Sequence, residues 1–278
     1  IIGIWADGFE KLQVVPLPPK ETGLLCVHFN SIDESLRANI IAMQFKPSAS
    51  ELIDHYILEC TKNNIEQSKN RFFVQGDPGA ILVIEFCRET RKEITAIANQ
   101  VEADMRAANL GYHFPLLFGA DSKKIWTLRK AGLGLLSNLP GDEKAVPVIE
   151  DTAVDVNDLP AYIRDFNEIL KKHNLYSVHY AHAGSGEIHL RPIINLKTVE
   201  GNRLFRTIAE EKNLPEETVQ EVVEQAVVER AAEQKVEAER LGDTRVERTL
   251  CAFEIQAHLT AKEAVGAEPP ENEVGVGD

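Results

Sequence analysis

His179-Tyr180-Ala181-His182-Ala183-Gly184-Ser185-Gly186-Glu187-Ile188-His189-Leu190-Arg191 is the stretch on which the fold turns. Two runs of alternating character flank a Gly-Ser-Gly centre, a pattern that predicts an antiparallel β-hairpin. Counting outward from a two-residue Ser185-Gly186 turn pairs Ala183 with Ile188, His182 with His189 and Tyr180 with Arg191. Strand side chains alternate, so Tyr180, His182, His189 and Arg191 share one face. Ala181, Ala183, Ile188 and Leu190 share the other. Opposed residues stand about 5 Å apart at Cβ, which suits two imidazoles closing on one divalent metal such as Zn²⁺. Histidines with ordinary hydrogen bonds are commoner than ligands, so a hairpin with a polar outer surface stays open as the alternative.

Working outward, the chain alternates strands and helices. Residues 23–29 and 80–86 are short apolar runs that read as strands, the second as a buried one. Ser31 three residues before Glu34 is a capping box, predicting a helix to about Gln44. Ser48 or Ser50 is expected to cap a second helix through Glu59. Thr90 is expected to cap a long helix to about Leu110. Residues 112–118 and 146–154 read as strands. Ser122 is expected to open a helix that ends at Gly132 and Gly134, and Pro160 opens another to His173. Alternating elements that finish in a hairpin point to an α+β fold: a mixed or antiparallel sheet with helices on one face, in two ferredoxin-like halves.

The expected organisation is a linker or remnant of a preceding domain at 1–20, a globular unit at 21–212 and a tail at 213–278 of different character. The tail holds 16 acidic and 6 basic residues, most of the chain's formal charge of -14. Residues 216–240 read as an exposed charged helix and the stretch from Ala264 as disordered. Such acidity argues against nucleic acid and anionic membrane surfaces as partners. No apolar run approaches the ~18 residues of a membrane span. The four cysteines lack CxxC spacing, so thiols in a reducing, cytoplasmic setting are expected, including the inner face of a membrane. The opening Ile1-Ile2-Gly3 reads as part of something longer.

A second constellation runs from Trp126 to Gly141. Arg129 could clamp a carboxylate with two parallel hydrogen bonds, and the glycines permit close backbone approach to a flat ligand. As a phosphate loop the segment lacks the required lysine spacing.

Together, Leu128-Arg129-Lys130-Ala131-Gly132, Ser137-Asn138-Leu139-Pro140-Gly141, Ile149-Glu150-Asp151-Thr152-Ala153-Val154 and His182 to His189 resemble the C-terminal domain of FAD-linked oxidases. That group includes D-lactate dehydrogenase, the glycolate oxidase flavoprotein subunit and D-2-hydroxyglutarate dehydrogenase, and the likeness is greatest to long bacterial members carrying iron–sulfur domains. The resemblance implies oxidation of a D-lactate-like 2-hydroxy acid, with hydride transfer to FAD held mainly by an upstream domain. It implies His182 and His189 as metal-binding and catalytic residues. It implies Arg129 as the residue that holds the substrate carboxylate; Asn138, Tyr180 and Arg191 complete the expected substrate-binding set, with Gly184 and Gly186 expected at the cofactor. The family's later Gly-Glu-His-Gly-Asp-Gly motif, which supplies a further metal ligand, is absent: Lys212-Asn213-Leu214-Pro215 leads into the acidic tail instead. Ser185, Glu187 and Arg191 also depart from the family pattern. The expectation is a substrate domain with a replaced C-terminus, inactive by itself. A non-catalytic hydroxy-acid-binding or flavoprotein-docking module is the alternative, and an interaction protein using its acidic helix is a third.

Overall fold

The structure, a computed structural model, describes residues 18–62, 64–137 and 139–212. The expected tail elements at 213–278 and most of the 1–20 segment lie outside the described residues. In chain order the elements are β1 (Glu21–Phe29), α1 (Ile32–Met43), β2 (Ala49–Asp54), α2 (His55–Lys62), a short 3₁₀ turn (Gln67–Arg71), β3 (Ala80–Arg88), α3 (Arg91–Ala107), β4 (Leu116–Phe118), α4 (Ala120–Leu136), β5 (Lys144–Ala145), β6 (Ile149–Ala153), α5 (Leu159–Lys172), β7 (Ser177–His182), β8 (Glu187–Ile194) and α6 (Val199–Glu211).

All strand pairs are antiparallel, in the order β4-β1-β3-β2-β7-β8, with β6 and β5 both pairing β8. The first half, β1-α1-β2-β3-α3-β4, has the ferredoxin-like order 4-1-3-2, with α2 inserted after β2. The second half repeats the scheme as β6-α5-β7-β8-α6, in the order β6-β8-β7. The halves meet edge to edge where β2 pairs β7, at Leu52↔Ala181 and Ile53↔Tyr180. The predicted α+β class and its two ferredoxin-like halves are therefore present.

Alternating residues of β1 divide between two cores. Leu25, Val27 and Phe29 belong to the core covered by α1, α3, α5 and α6, which includes Leu36, Ile94, Phe166 and Phe205. Leu24 and Cys26 face α2 and α4, through Ile57, Leu58, Ile125 and Leu128. Helices thus flank both faces, where the sequence suggests one. The capping boxes form: Ser31 Oγ accepts from Glu34 N at 3.2 Å while Asn30 N donates to Glu34 Oε2 at 3.1 Å. Thr90 caps α3 in the same manner, without the reciprocal arm.

Two elements differ from expectation. Residues 49–54 are strand, and helix begins only at His55. The cap is Asp54, whose Oδ1 accepts from Ile57 N at 3.0 Å. Leu52 and Ile53 are buried on opposite faces of the sheet, so this strand shows no alternation. Helix α4 runs through Gly132 and Gly134 rather than ending there. Gly132 is the contact point with α2, since a Cβ there would lie 2.9 Å from Ile57 Cγ2.

Candidate functional site

The hairpin forms, with a longer turn than the two-residue one expected. His182 pairs Glu187, Tyr180 pairs His189 and Val178 pairs Arg191. The cause lies outside the hairpin. Asn39 Nδ2 on α1 donates to Ala183 O at 2.7 Å, Ser50 Oγ on β2 donates to Asn39 Oδ1 at 2.7 Å, and Gly184 N donates to Ser50 O at 2.9 Å. These bonds draw Ala183 and Gly184 out of the ladder. Because the slip is two residues, faces are preserved: Tyr180, His182, Glu187, His189 and Arg191 still share one side. Asn39→Ala removes the stronger of the two bonds to Ala183 O and strands the Ser50 hydroxyl in a buried setting, and is expected to cost about 2 kcal/mol, read by urea unfolding.

On that face the His189 ring stacks on Tyr180 at 4.4 Å, and the His182 ring stands edge-on to His189 at 5.6 Å. His182, Glu187 and His189 each bring a ligand atom within 4.8 Å of the others. Two imidazoles and a carboxylate suit Zn²⁺ and leave a fourth position open. Around tetrahedral Zn²⁺, ligand atoms stand about 3.3 Å apart, so small side-chain rotations close the set. Glu187, noticed in the sequence only as a departure from the family pattern, thus stands as a third donor. His182 and Glu187 open onto a groove of about 520 Å³, whose wall includes Met43, Ser48, Glu51 and Ser185.

Arg129 reaches this site from α4. Its side chain is mostly buried, and Nη2 is ion-paired with Glu51 and donates to Ala181 O at 3.2 Å. Arg129 and Arg191 each place the guanidinium carbon 5.9 Å from the Tyr180 ring centre. Five of the expected site residues, Arg129, Tyr180, His182, His189 and Arg191, therefore converge; Asn138 lies outside the described residues. Gly184 lines the groove. Gly186 has a backbone role: its φ is +77°, and a Cβ there would lie 1.9 Å from Val154 O.

Glu51 is the residue that sequence reasoning missed. On β2, Oε1 meets His182 Nδ1 at 2.9 Å and Oε2 meets Arg129. Glu51 lying three residues before Asp54 in Pro47-Ser48-Ala49-Ser50-Glu51-Leu52-Ile53-Asp54 was the available signal, obscured by the helical reading of that segment.

Beneath the site, Asp54 Oδ2 accepts from His179 N at 2.7 Å. Burial pushes the Asp54 carboxyl up to about 7 and outweighs the backbone N–H groups that favour its charged form. His179 lies on the opposite face of β7 from His182, and burial holds it down to about 4. A carboxyl raised in the folded state binds its proton more tightly there than in the unfolded chain. Its contribution to stability is full below pH 3.8 and declines as pH rises toward 7. The stability of wild type relative to Asp54→Asn is expected to fall over that window, by about 1.4 kcal/mol per pH unit at its steepest. Urea denaturation at several pH values reads this, and a flat difference would contradict it.

Residues 18–227 match the family described as FAD linked oxidases, C-terminal domain. The chain is 29% identical over 209 residues to a D-2-hydroxyglutarate dehydrogenase of Pseudomonas putida, covering 72% of this chain and 20% of that protein. It is 27% identical over 216 residues to one of Haemophilus influenzae, again covering 72% of this chain and 20% of the other. The chain thus spans about a fifth of the length of these curated relatives. Among solved structures, 4-ethylphenol oxidase from Gulosibacter chungangensis aligns at TM-score 0.42 and 14% identity, covering 80% of this chain and 46% of that one.

Proposed function

The chain belongs to the FAD linked oxidases, C-terminal domain family, and from that premise we propose that it forms the substrate domain of a flavin-dependent dehydrogenase acting on a D-2-hydroxy acid. The observation that carries the reading is the convergence of His182, Glu187 and His189 with Arg129 and Arg191 on one side of the β7–β8 hairpin. FAD, brought by a neighbouring domain, would supply the two-electron acceptor, and the groove lined by Gly184 is the place we propose for its approach. A divalent ion on His182, Glu187 and His189 supplies Lewis acidity that lowers the pKa of the substrate hydroxyl. The protein's own side chains do the remainder. Arg129 and Arg191 attract the substrate carboxylate, and Tyr180 gives it an aromatic wall.

Arg129 and Arg191 set two guanidinium groups about Tyr180, which suits an anionic substrate, and D-2-hydroxyglutarate, named in the relatives, is the acid we propose. We extend the proposal to an iron–sulfur domain as the next electron acceptor, and expect no turnover from this chain without a flavin-bearing domain. Among the described residues no helix is long and apolar enough to cross a membrane.

Calorimetric titration of the Zn²⁺-loaded chain with D- and L-2-hydroxyglutarate and with D-lactate tests the reading. Binding of the D-dicarboxylate ahead of D-lactate and the L-isomer is expected. No affinity for any of the three would remove the substrate-domain proposal, and turnover by the purified chain with added FAD would overturn the expected dependence on a partner domain.

A further inference from the structure

We propose that Glu51 is the positioning residue of this site: held by Arg129, it keeps the proton of His182 on Nδ1 and so leaves Nε2 as the ring nitrogen that can hold a divalent cation. The inference rests on the reading of His182 as a metal ligand and names what prepares it for that role.

The argument begins with what each group can do. A guanidinium only donates hydrogen bonds and a carboxylate only accepts them. Glu51 gives one oxygen to Arg129 and the other to His182 Nδ1, at 2.9 Å. In the neutral ring the nitrogen facing a carboxylate must carry the proton, and the other then has the lone pair. The side chains of Glu51 and Arg129 are only 14% and 13% exposed, so water has little access to compete for the pair. The backbone fixes the arrangement as well. Leu52, next to Glu51, pairs with Ala181, next to His182, and Arg129 also donates to Ala181 O at 3.2 Å. The chain Arg129–Glu51–His182 is therefore a carboxylate–histidine support of the kind that orients metal-binding imidazoles. It also gives Arg129 a second duty besides attracting a substrate anion.

The decisive variant is Glu51→Gln. Its amide oxygen must turn to Arg129, because Arg129 has no acceptor. The amide NH₂ then meets Nδ1, which can receive it only by giving up its proton to Nε2. A substitution of nearly equal shape is thus expected to switch the tautomer and put a proton on Nε2, the nitrogen proposed to hold the cation. Long-range ¹⁵N–¹H spectra of the metal-free full chain, with the His182 ring assigned by its loss in His182→Asn, read this directly. Wild type is expected to show a protonated Nδ1 and Glu51→Gln a protonated Nε2. Zn²⁺ affinity, measured by competition with a chromogenic chelator, is expected to fall about 10–100-fold in Glu51→Gln. Glu51→Asp, which keeps a carboxylate, is expected to restore the Nδ1–H form and part of the affinity. A protonated Nε2 in wild type overturns the proposal without reference to any variant. Unchanged tautomer and Zn²⁺ affinity in a folded Glu51→Gln overturn it too. A wild type that shows Nδ1–H yet binds no Zn²⁺ removes the metal reading alone and leaves the Glu51–His182 assignment supported.

Discussion

His189→Ala is expected to weaken Zn²⁺ binding by about 100–1,000-fold. Four-ligand structural zinc sites gain roughly 10–16 kcal/mol, which is about 2.5–4 kcal/mol per ligand, and each tenfold in affinity is about 1.4 kcal/mol. His189 is the least exposed of the three donors and is braced against Tyr180, so it starts closest to its bound orientation. Alanine also removes the stacked ring, and a loss of affinity could then reflect local collapse. His189→Phe separates the causes, because it keeps an aromatic ring on Tyr180 and offers no ligand atom. Both variants are expected to lose the metal, while the phenylalanine variant retains near-native stability. His55, Glu59 and Asp77 form another group of donors, but Lys62 is already paired with both carboxylates there. Weak residual binding at that place would be unaffected by changes at His189. Wild-type affinity that survives in both His189 variants would remove the hairpin as the metal centre.

Gly186→Ala is expected to destabilise the fold by about 4 kcal/mol. A positive φ costs a residue with a Cβ about 1–2 kcal/mol, and crowding a packed position adds about 1–3 kcal/mol. The crowding is severe, since the new carbon would lie 1.9 Å from Val154 O. Relief requires the end of β6 to move, which breaks the bond from Val154 N to Gly186 O at 3.1 Å. Gly184 is the internal control. A Cβ there would meet Ser50 and Met43 no closer than 3.3 Å, with no positive φ, so Gly184→Ala is expected to cost under about 1 kcal/mol. The two glycines flank Ser185 and look equivalent in sequence. Comparable urea midpoints for the two variants would contradict the turn described here.

The elements that were legible owe this to local chemistry. Strand β3 announces itself as a continuous apolar run, and α1 and α3 by Ser31 and Thr90 ahead of glutamates. The misread elements were decided by distant partners. Leu52, Ile53, Tyr56 and Ile57 fit a helical stripe, and only the docking of β3 and β7 on either side makes 49–54 a strand. Gly132 looks like a helix terminator until Ile57 arrives against it. In the hairpin, period-two alternation correctly sorted the histidines, Tyr180 and Arg191 onto one face, since that survives a two-residue slip. The register itself depends on Asn39, which is 144 positions from Ala183. Arg129 was a candidate through its motif, but its partner Glu51 lies 78 positions away and nothing local joins them.

The edge-to-edge joint between the halves is short, with pairing at Leu52↔Ala181 and Ile53↔Tyr180. Glu51 stands on one side of it and His182 on the other. A slip of one residue along the joint would shift the strands by about 3.3 Å and turn Glu51 away from His182. The contact between Glu51 and His182 is therefore set by the alignment of the two halves as much as by the fold of either one.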